Sequence, residues 1–462
     1  VTRPRSGKRQ ARRSPLDPAR QVAFDVLRAV SERDAYANLV LPAFLRQRGI
    51  TGRDAAFATE LAYGTCRTRG LLDAVISHAA GRPIDRIDPV LLELLRLGAY
   101  QLLRTRVEAH AAVSTTVEQA GIEFDTARAG FVNGVLRTIA SRDEASWVAE
   151  LAPPADTDPV GHTAFVHAHP RWVAQAFTDA LGAAAGELDA LLASDNERPV
   201  VHLAARPGVL SADELAAAVG GTPGRYSPYA VYLAGGDPGA LAAVHDGAAL
   251  VQDEGSQLVA LALARATVEA DGGRWLDLCS GPGGKTALLA GVGAASGATV
   301  TAVEPAPARA DLVEQNTRGL GVSVVRADGR DSGLEPGFDR VLVDAPCTGL
   351  GALRRRPEAR WRRRPGDVPG LAKLQRELLA SAIRLTRPGG VVLYATCSPH
   401  LVETVGVVTD ALRRHPVTAV DARPLFDSGD GPMPDLGDGP YVQLWPHRHG
   451  TDAMFAAALQ VT

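Results

Sequence analysis

Two cysteines stand just past strand-like apolar runs, in Val341-Leu342-Val343-Asp344-Ala345-Pro346-Cys347 and in Val391-Val392-Leu393-Tyr394-Ala395-Thr396-Cys397. A third run leads into a glycine loop, Asp277-Leu278-Cys279-Ser280-Gly281-Pro282-Gly283-Gly284-Lys285-Thr286. Ligands of an open α/β sheet bind outside the carboxyl ends of its strands. One glycine loop and two thiols are therefore expected to meet at one cleft, which points to covalent chemistry beside a nucleoside cofactor.

The loop is read by elimination. Glycines let the backbone approach a ligand, and the helix that follows favours polar or anionic groups at its N-terminus. A phosphate-binding P-loop needs glycine five residues before Gly284, where Cys279 stands. A dinucleotide fingerprint needs a third glycine where Thr286 stands. S-adenosylmethionine needs close backbone contact but brings no pyrophosphate, and it is the cofactor expected here. Glu304, 20 residues beyond Gly284, ends the second strand-like run, where a carboxylate can accept the ribose hydroxyls. Asp328 follows the third run, placed to hold the exocyclic amine of adenine.

A buried cysteine is often only a small hydrophobe, and Cys66 is read that way. Cys279 contributes its backbone to the loop. Cys347 and Cys397 differ because each lies at the ligand edge. The Asp344–Cys347 stretch is similar to the acid-x-Pro-aromatic loop of amino methyltransferases, with a thiol in place of the aromatic. Carbon-5 of a pyrimidine is a poor nucleophile until a thiolate adds to carbon-6, which divides one hard step into easier ones. A free thiol titrates near 8.5, so the site must assist its ionisation. The carbon-5 proton must afterwards leave, a task for a second thiol or for Asp344.

The elements that position these groups follow from patterning. The chain has 462 residues, enough for two or three domains. Residues 1–19 read as a basic, disordered tail and 20–145 as an all-helical domain, in which Pro89 opens a helix with Val90, Leu91, Leu94, Leu95, Leu97 and Leu102 on its apolar face. Residues 141–170 read as a linker, since they hold Pro153-Pro154 and a cluster of Asp, Thr and Gly. A small α+β, RNA-contacting module is expected over 165–245. The catalytic domain is expected over 246–462, with strands near 274–279, 299–304, 322–327, 339–344 and 390–396. Alternation with helices implies a mostly parallel, Rossmann-like sheet. Tyr441–Trp445 and Ala453–Leu459 are expected to pair as a closing antiparallel hairpin.

Net charge is only −3, but the charge is uneven. Seven arginines lie between 354 and 364 against a single Glu358, and such a run suggests a polyanionic partner. Arg354, Arg355, Arg356 and Arg360 are the expected RNA contacts. The four cysteines show neither a CxxC pair nor zinc spacing, so neither a metal nor a disulfide framework is expected. A reduced, cytoplasmic setting is expected. No apolar run reaches the length of a membrane span, and no apolar segment after the basic N-terminus reads as a signal peptide.

These residues resemble the RNA cytosine-5 methyltransferases of the bacterial RsmB (Sun/Fmu) type, over nearly the whole chain. Asp-Ala-Pro-Cys at 344–347 together with Thr-Cys-Ser at 396–398 carries the catalytic resemblance. Residues 20–140 resemble a NusB-type RNA-binding domain through Ala58–Gly64, Leu95–Gln101 and Phe131–Arg137. The resemblance implies a Rossmann-like S-adenosylmethionine-dependent methyltransferase acting on 16S ribosomal RNA, with Cys397 as nucleophile and Cys347 aiding release of the methylated RNA. It puts the cofactor on Cys279, Ser280, Gly281, Pro282, Gly283, Gly284, Lys285, Glu304, Asp328 and Asp344. A monomer is expected. Two departures stand out. Pro399-His400-Leu401-Val402-Glu403 replaces the Pro-Glu-Glu-Asn run, with only Glu403 in kind, and Ala453-Met454-Phe455 replaces a Gly-Phe-Phe-like ending. Motifs leave open a transfer RNA or 23S substrate. A non-catalytic, NusB-like RNA-binding protein is disfavoured, because binding alone requires neither thiol.

Overall fold

The computed structural model describes residues 16–428 and 431–462, in two compact units. Most of the expected basic tail, positions 1–15, lies outside the described residues. The chain is already helical from Pro18, because the Asp17 side chain accepts from Arg20 N and a proline fills the first turn.

The first unit is all-helical and holds residues up to His169 together with Arg356–Glu358. Its core gathers Phe24, Leu61, Leu72, Leu94, Leu95 and Leu136. Pro89 opens the helix Pro89–Arg104, with Asp88 capping it, and Leu91, Leu94, Leu95 and Leu97 are buried as the spacing requires. Cys66 is buried in this core. The expected linker over 141–170 is instead largely helical, with helices Glu144–Leu151 and Pro159–Val166. Each is nucleated by a capping aspartate, Asp143 or Asp158, and the first buries Trp147. The same Asp, Thr and Pro residues that read as loop chemistry are helix-start signals.

The second unit begins with helices Arg171–Leu181 and Leu188–Ser194 and a small antiparallel sheet. Its strands are β1 (Val201–Ala205), β2 (Thr222–Pro223), β3 (Ala230–Leu233) and β4 (Ala249–Val251), in the order β2-β3-β1-β4. Because β4 pairs with β1, this module extends past the expected boundary at 245.

The large sheet contains β5 (Arg274–Asp277), β6 (Thr299–Val303), β7 (Ser323–Val325), β8 (Phe338–Asp344), β9 (Thr386–Thr396), β10 (Val417–Val420), β11 (Val442–Gln443) and β12 (Phe455–Val461). Strands β7-β6-β5-β8-β9 run parallel, and β12 and β10 follow beyond β9 as antiparallel neighbours. The five expected strands are all present, and β11 pairs antiparallel with β12 as the closing apolar pieces suggested.

Both faces of the sheet are covered, which is why its strands read as continuous apolar runs. Leu276, Val341, Val343, Val392 and Tyr394 pack beneath helices Val368–Leu385 and Val405–Arg414. Trp275, Leu342, Leu393 and Ala395 face helices Glu254–Arg265 and Gly284–Ala294. The chain leaves β5 toward β6 on one side and reaches β8 on the other, so the order reverses at β5/β8. A crevice at such a reversal is where doubly wound sheets bind ligands.

Candidate active site

The loops after β5 and β8 open at this reversal, and Leu278 N donates to Leu342 O at 2.9 Å to hold them together. The β5 loop is shaped by its glycines. A Cβ on Gly281 would lie 2.3 Å from Glu304 Oε2, and Gly283 has a φ of 107° with Val313 Cα only 2.9 Å from where its Cβ would be. No other residue fits without displacing its neighbours. Glu304 is buried, accepting from Gly281 N at 3.2 Å and Ala306 N at 3.0 Å, with Arg309 Nη2 3.3 Å from its Oε2. Ser280 is also tied to the end of β6, through its amide and hydroxyl to Val303 O. Burial pushes the Cys279 thiol up, which keeps its sulfur neutral.

Asp328 lies beyond β7, where Gly329 approaches Leu278 O closely enough that a Cβ would sit 3.0 Å from it. The Asp328 carboxylate is half-exposed and forked onto Arg330, with Oδ2 2.6 Å from Nη2. That hydrogen bond holds the acid below its ordinary range.

At the end of β8, Asp344 Oδ2 lies 2.8 Å from Lys285 Nζ, and Lys285 also donates to Ser256 Oγ at 2.7 Å. Burial alone would lower the Lys285 ammonium, but Asp344 outweighs it and raises it, with a further contribution from charge on Cys397. Beneath this pair, Asp277 accepts from Thr286 Oγ1 at 2.6 Å, and burial, reinforced by Asp344, pushes its carboxyl up to about 6.

The loop after β8 carries Cys347 back to the end of β9, where its Sγ stands 3.4 Å from Cys397 Sγ. The contact to Cys397, then burial and the charge of Glu403, hold the Cys347 thiol well above its usual range. The loop passes so close that a Cβ on Gly351 would meet Ala453 O at 2.0 Å and Cys397 O at 2.9 Å. Gly351 in turn donates to Cys397 O and accepts from Ala453 N, so the altered Ala453-Met454-Phe455 ending still buttresses the thiol loop.

The arginine run requires a correction. Arg354 is buried and donates to Gly450 O at 2.9 Å. Arg355 bridges Asp253 at 2.7 Å and Asp452 at 3.1 Å. Arg360 is fully buried, donating to Asn196 Oδ1 and Asp195 O, each at 2.7 Å. Arg356 alone of the four is exposed, and it stacks on the Tyr36 ring within the helical unit. Arg354 and Arg355 share Asp452, whereas Arg360 turns to Asn196 and the Asp195 carbonyl, so each of the three is matched to acceptors of this chain, as buried cations must be.

Sequence reasoning missed Ser256, Arg309, Gln375 and the buried His202–Asp253–Arg355–Asp452 cluster. Each reaches the site from a different element, and no local pattern marks them. Among the described residues, no helix is long and apolar enough to cross a membrane and no group of three or more His, Cys, Asp or Glu could hold a metal.

Comparison with known proteins agrees with this geometry. Residues 264–460 match the family described as 16S rRNA methyltransferase RsmB/F, and residues 17–141 match the NusB family. The chain is 77% identical, over 99% of each chain, to a Mycobacterium tuberculosis (strain H37Rv) protein that carries a methyltransferase name. It is 32% identical to the ribosomal RNA small subunit methyltransferase B of Erwinia tasmaniensis, over 95% of this chain and 98% of the other. The Enterobacter sp. protein of the same name is 34% identical over 82% and 86%. In fold, the chain is similar to the crystal structure of PH0851, with a TM-score of 0.79 at 22% identity over 97% and 99% of the chains. It is also similar to NSun6 from Pyrococcus horikoshii with SFG, with a TM-score of 0.54 at 20% identity over 64% and 99%. Because the chain is 32% and 34% identical, over most of its length, to relatives named ribosomal RNA small subunit methyltransferase B, it is a member of the RsmB/F family of rRNA methyltransferases, with a NusB-family helical domain.

Proposed function

We propose that this protein methylates carbon-5 of a cytosine in 16S ribosomal RNA, using S-adenosylmethionine and a transient bond between Cys397 and carbon-6. The observation that carries this reading is the 3.4 Å approach of Cys347 and Cys397 beside the Lys285–Asp344 pair. Binding RNA alone would require none of these groups. The relatives named as small-subunit methyltransferases support the substrate, and the Pyrococcus horikoshii neighbour was crystallised with SFG, an S-adenosylmethionine analogue.

The loop geometry fits the cofactor. The bare backbone at Gly281 and Gly283 and the buried Glu304 carboxylate form a cradle that side chains would fill. Residues 279–285 would hold the amino-acid end, Glu304 the ribose hydroxyls and Asp328 the adenine amine, which requires Arg330 to swing away. Asp344 closes the site. S-adenosylmethionine bound there supplies an electrophilic sulfonium methyl.

The two thiols divide the work. Lys285 offers a cation beside Cys397, whereas the contact to Cys397 and burial push Cys347 toward its neutral form. Cys397 therefore adds to carbon-6, forming the S–C6 bond and making carbon-5 nucleophilic. Asp344 holds Lys285 in place and orients the base. After methylation the carbon-5 proton leaves to the Asp344 carboxylate, and the C5–H electron pair restores the C5=C6 double bond as the S–C6 bond breaks. Cys397 departs as a thiolate that the neutral Cys347 thiol can stabilise by donating a hydrogen bond. Bisulfite sequencing of ribosomal RNA from cells lacking the protein tests the whole reading. One 16S cytosine should lose its modification and regain it with the wild-type gene but not with Cys397→Ala. Loss from transfer RNA or 23S RNA instead would reassign the substrate.

A further inference from the structure

Glu403 is fully buried, yet every hydrogen-bond partner of its carboxylate is a neutral donor. Its Oε1 accepts from Thr348 N at 2.8 Å and Gln375 Nε2 at 3.0 Å. Its Oε2 accepts from Ser398 Oγ at 2.7 Å and from Thr348 Oγ1. An ionised carboxylate is an acceptor only, with about four lone-pair sites, and four donors fill them. Thr348 follows Cys347 in sequence, and Ser398 follows Cys397. Gln375 also donates to Pro346 O at 2.9 Å, so Cys347 is gripped from both sides. Tyr394 fixes the other end of the device by donating to the Glu403 carbonyl at 2.6 Å.

We propose that Glu403 is a positioning residue that ties the two thiol loops into one rigid unit and thereby sets the spacing of Cys347 and Cys397. The inference rests on the covalent mechanism above for its importance, though not for its geometry. Thr348 Oγ1 and Ser398 Oγ lie 3.0 Å apart, so the carboxylate gathers the residue after each cysteine at one point, in addition to the bond from Gly351 N to Cys397 O. Cut that tie and the backbone bond from Gly351 to Cys397 O still joins the two loops, but no carboxylate fixes Thr348 against Ser398. A misplacement of about 1 Å at reacting groups can cost on the order of 10²-fold in rate.

Two replacements separate geometry from charge. Glu403→Gln keeps the length of the side chain; its oxygen retains the Thr348 amide, and its NH2 can donate to the two hydroxyls once they rotate. Glu403→Asp keeps the charge but is one methylene too short to reach both loops. Bridging of Cys347 to Cys397 by a short dithiol-reactive bimane reagent, read by mass spectrometry of the full-length protein, reports the spacing directly. Bridging should persist in Glu403→Gln and fall at least tenfold in Glu403→Asp. Turnover should fall about 10²-fold in Glu403→Asp, with the KM for RNA and cofactor affinity unchanged. If Glu403→Asp does not fold, Thr348→Val and Ser398→Ala carry the test, each lowering bridging and turnover by a smaller factor. Wild-type bridging and turnover in Glu403→Asp, or equal losses in the Gln and Asp variants, would overturn the proposal. Absence of any RNA adduct in Cys347→Ala would count against the covalent mechanism instead, while the bridging yield in proteins that keep both thiols still reports on Glu403.

Discussion

Cys347 and Cys397 are 50 residues apart in the chain, yet their sulfurs approach to 3.4 Å at the ends of adjacent parallel strands. Both thiols can therefore reach one nucleobase. Cys397→Ala should abolish methyl transfer and leave cofactor binding nearly intact. Cys347→Ala should accumulate a protein–RNA adduct that survives a denaturing gel and vanishes when Cys397 is also replaced. Normal turnover by Cys347→Ala with no adduct would remove it from the release step.

Lys285 joins the glycine loop to the thiol loop through Asp344. Lys285→Met leaves Asp344 without its cation at a partly buried edge, which should cost roughly 1–3 kcal/mol of stability. Methyl transfer should drop on the order of 10²-fold, the scale of losing one preorganised electrostatic group. Urea unfolding and single-turnover assays at pH 7 check the two effects separately. An unchanged single-turnover rate would leave Lys285 a structural role only.

Glu304→Ala should weaken S-adenosylmethionine binding about tenfold or more, since each hydrogen bond from a ligand to an ionised acceptor is worth roughly 1.5–3 kcal/mol. Gly281→Ala should do the same indirectly, by pressing a methyl into Glu304 Oε2. Calorimetry that finds wild-type affinity in both would take Glu304 out of the cofactor site.

Asp277 makes stability depend on pH. Its folded value of about 6 lies above that of an unfolded aspartate, near 3.9, so the unfolded chain sheds its proton first as pH rises. The wild-type protein should therefore lose roughly 3 kcal/mol at this group between about pH 4 and pH 6, and little more above that. Asp277→Asn can still accept from Thr286 and cannot ionise. Its advantage over wild type should grow across that window in denaturant titrations; a gap independent of pH would show that Asp277 is not shifted.

Arg355→Ala should destabilise the protein by about 3 kcal/mol, because Asp253 and Asp452 are left buried without their guanidinium. Its RNA binding, measured on the fraction that remains folded, should keep the wild-type salt slope. A flattened slope would restore Arg355 as a phosphate contact.

Much of the layout around the strand ends was legible without coordinates. Glycines at 281, 283 and 284, acids at 304 and 328 and cysteines at 347 and 397 each end a strand-like run, and strand ends are what local patterning marks best. The apolar runs themselves announced a sheet covered on both faces. Tertiary structure alone decided three things. The arginines at 354, 355 and 360 are consumed by acids and carbonyls far away in sequence, because a buried guanidinium must find a partner wherever the fold supplies one. Lys285, Ser256 and Asp344 become one pair-and-hydroxyl cluster only when β5 and β8 lie side by side. Glu403, in a segment that departs from its family's motif, takes its meaning from Thr348, 55 residues earlier. A sequence shows which side chains stand at the ends of strands, because that follows from local periodicity. Which of them share a hydrogen bond depends on strand order, and no local interaction encodes that order.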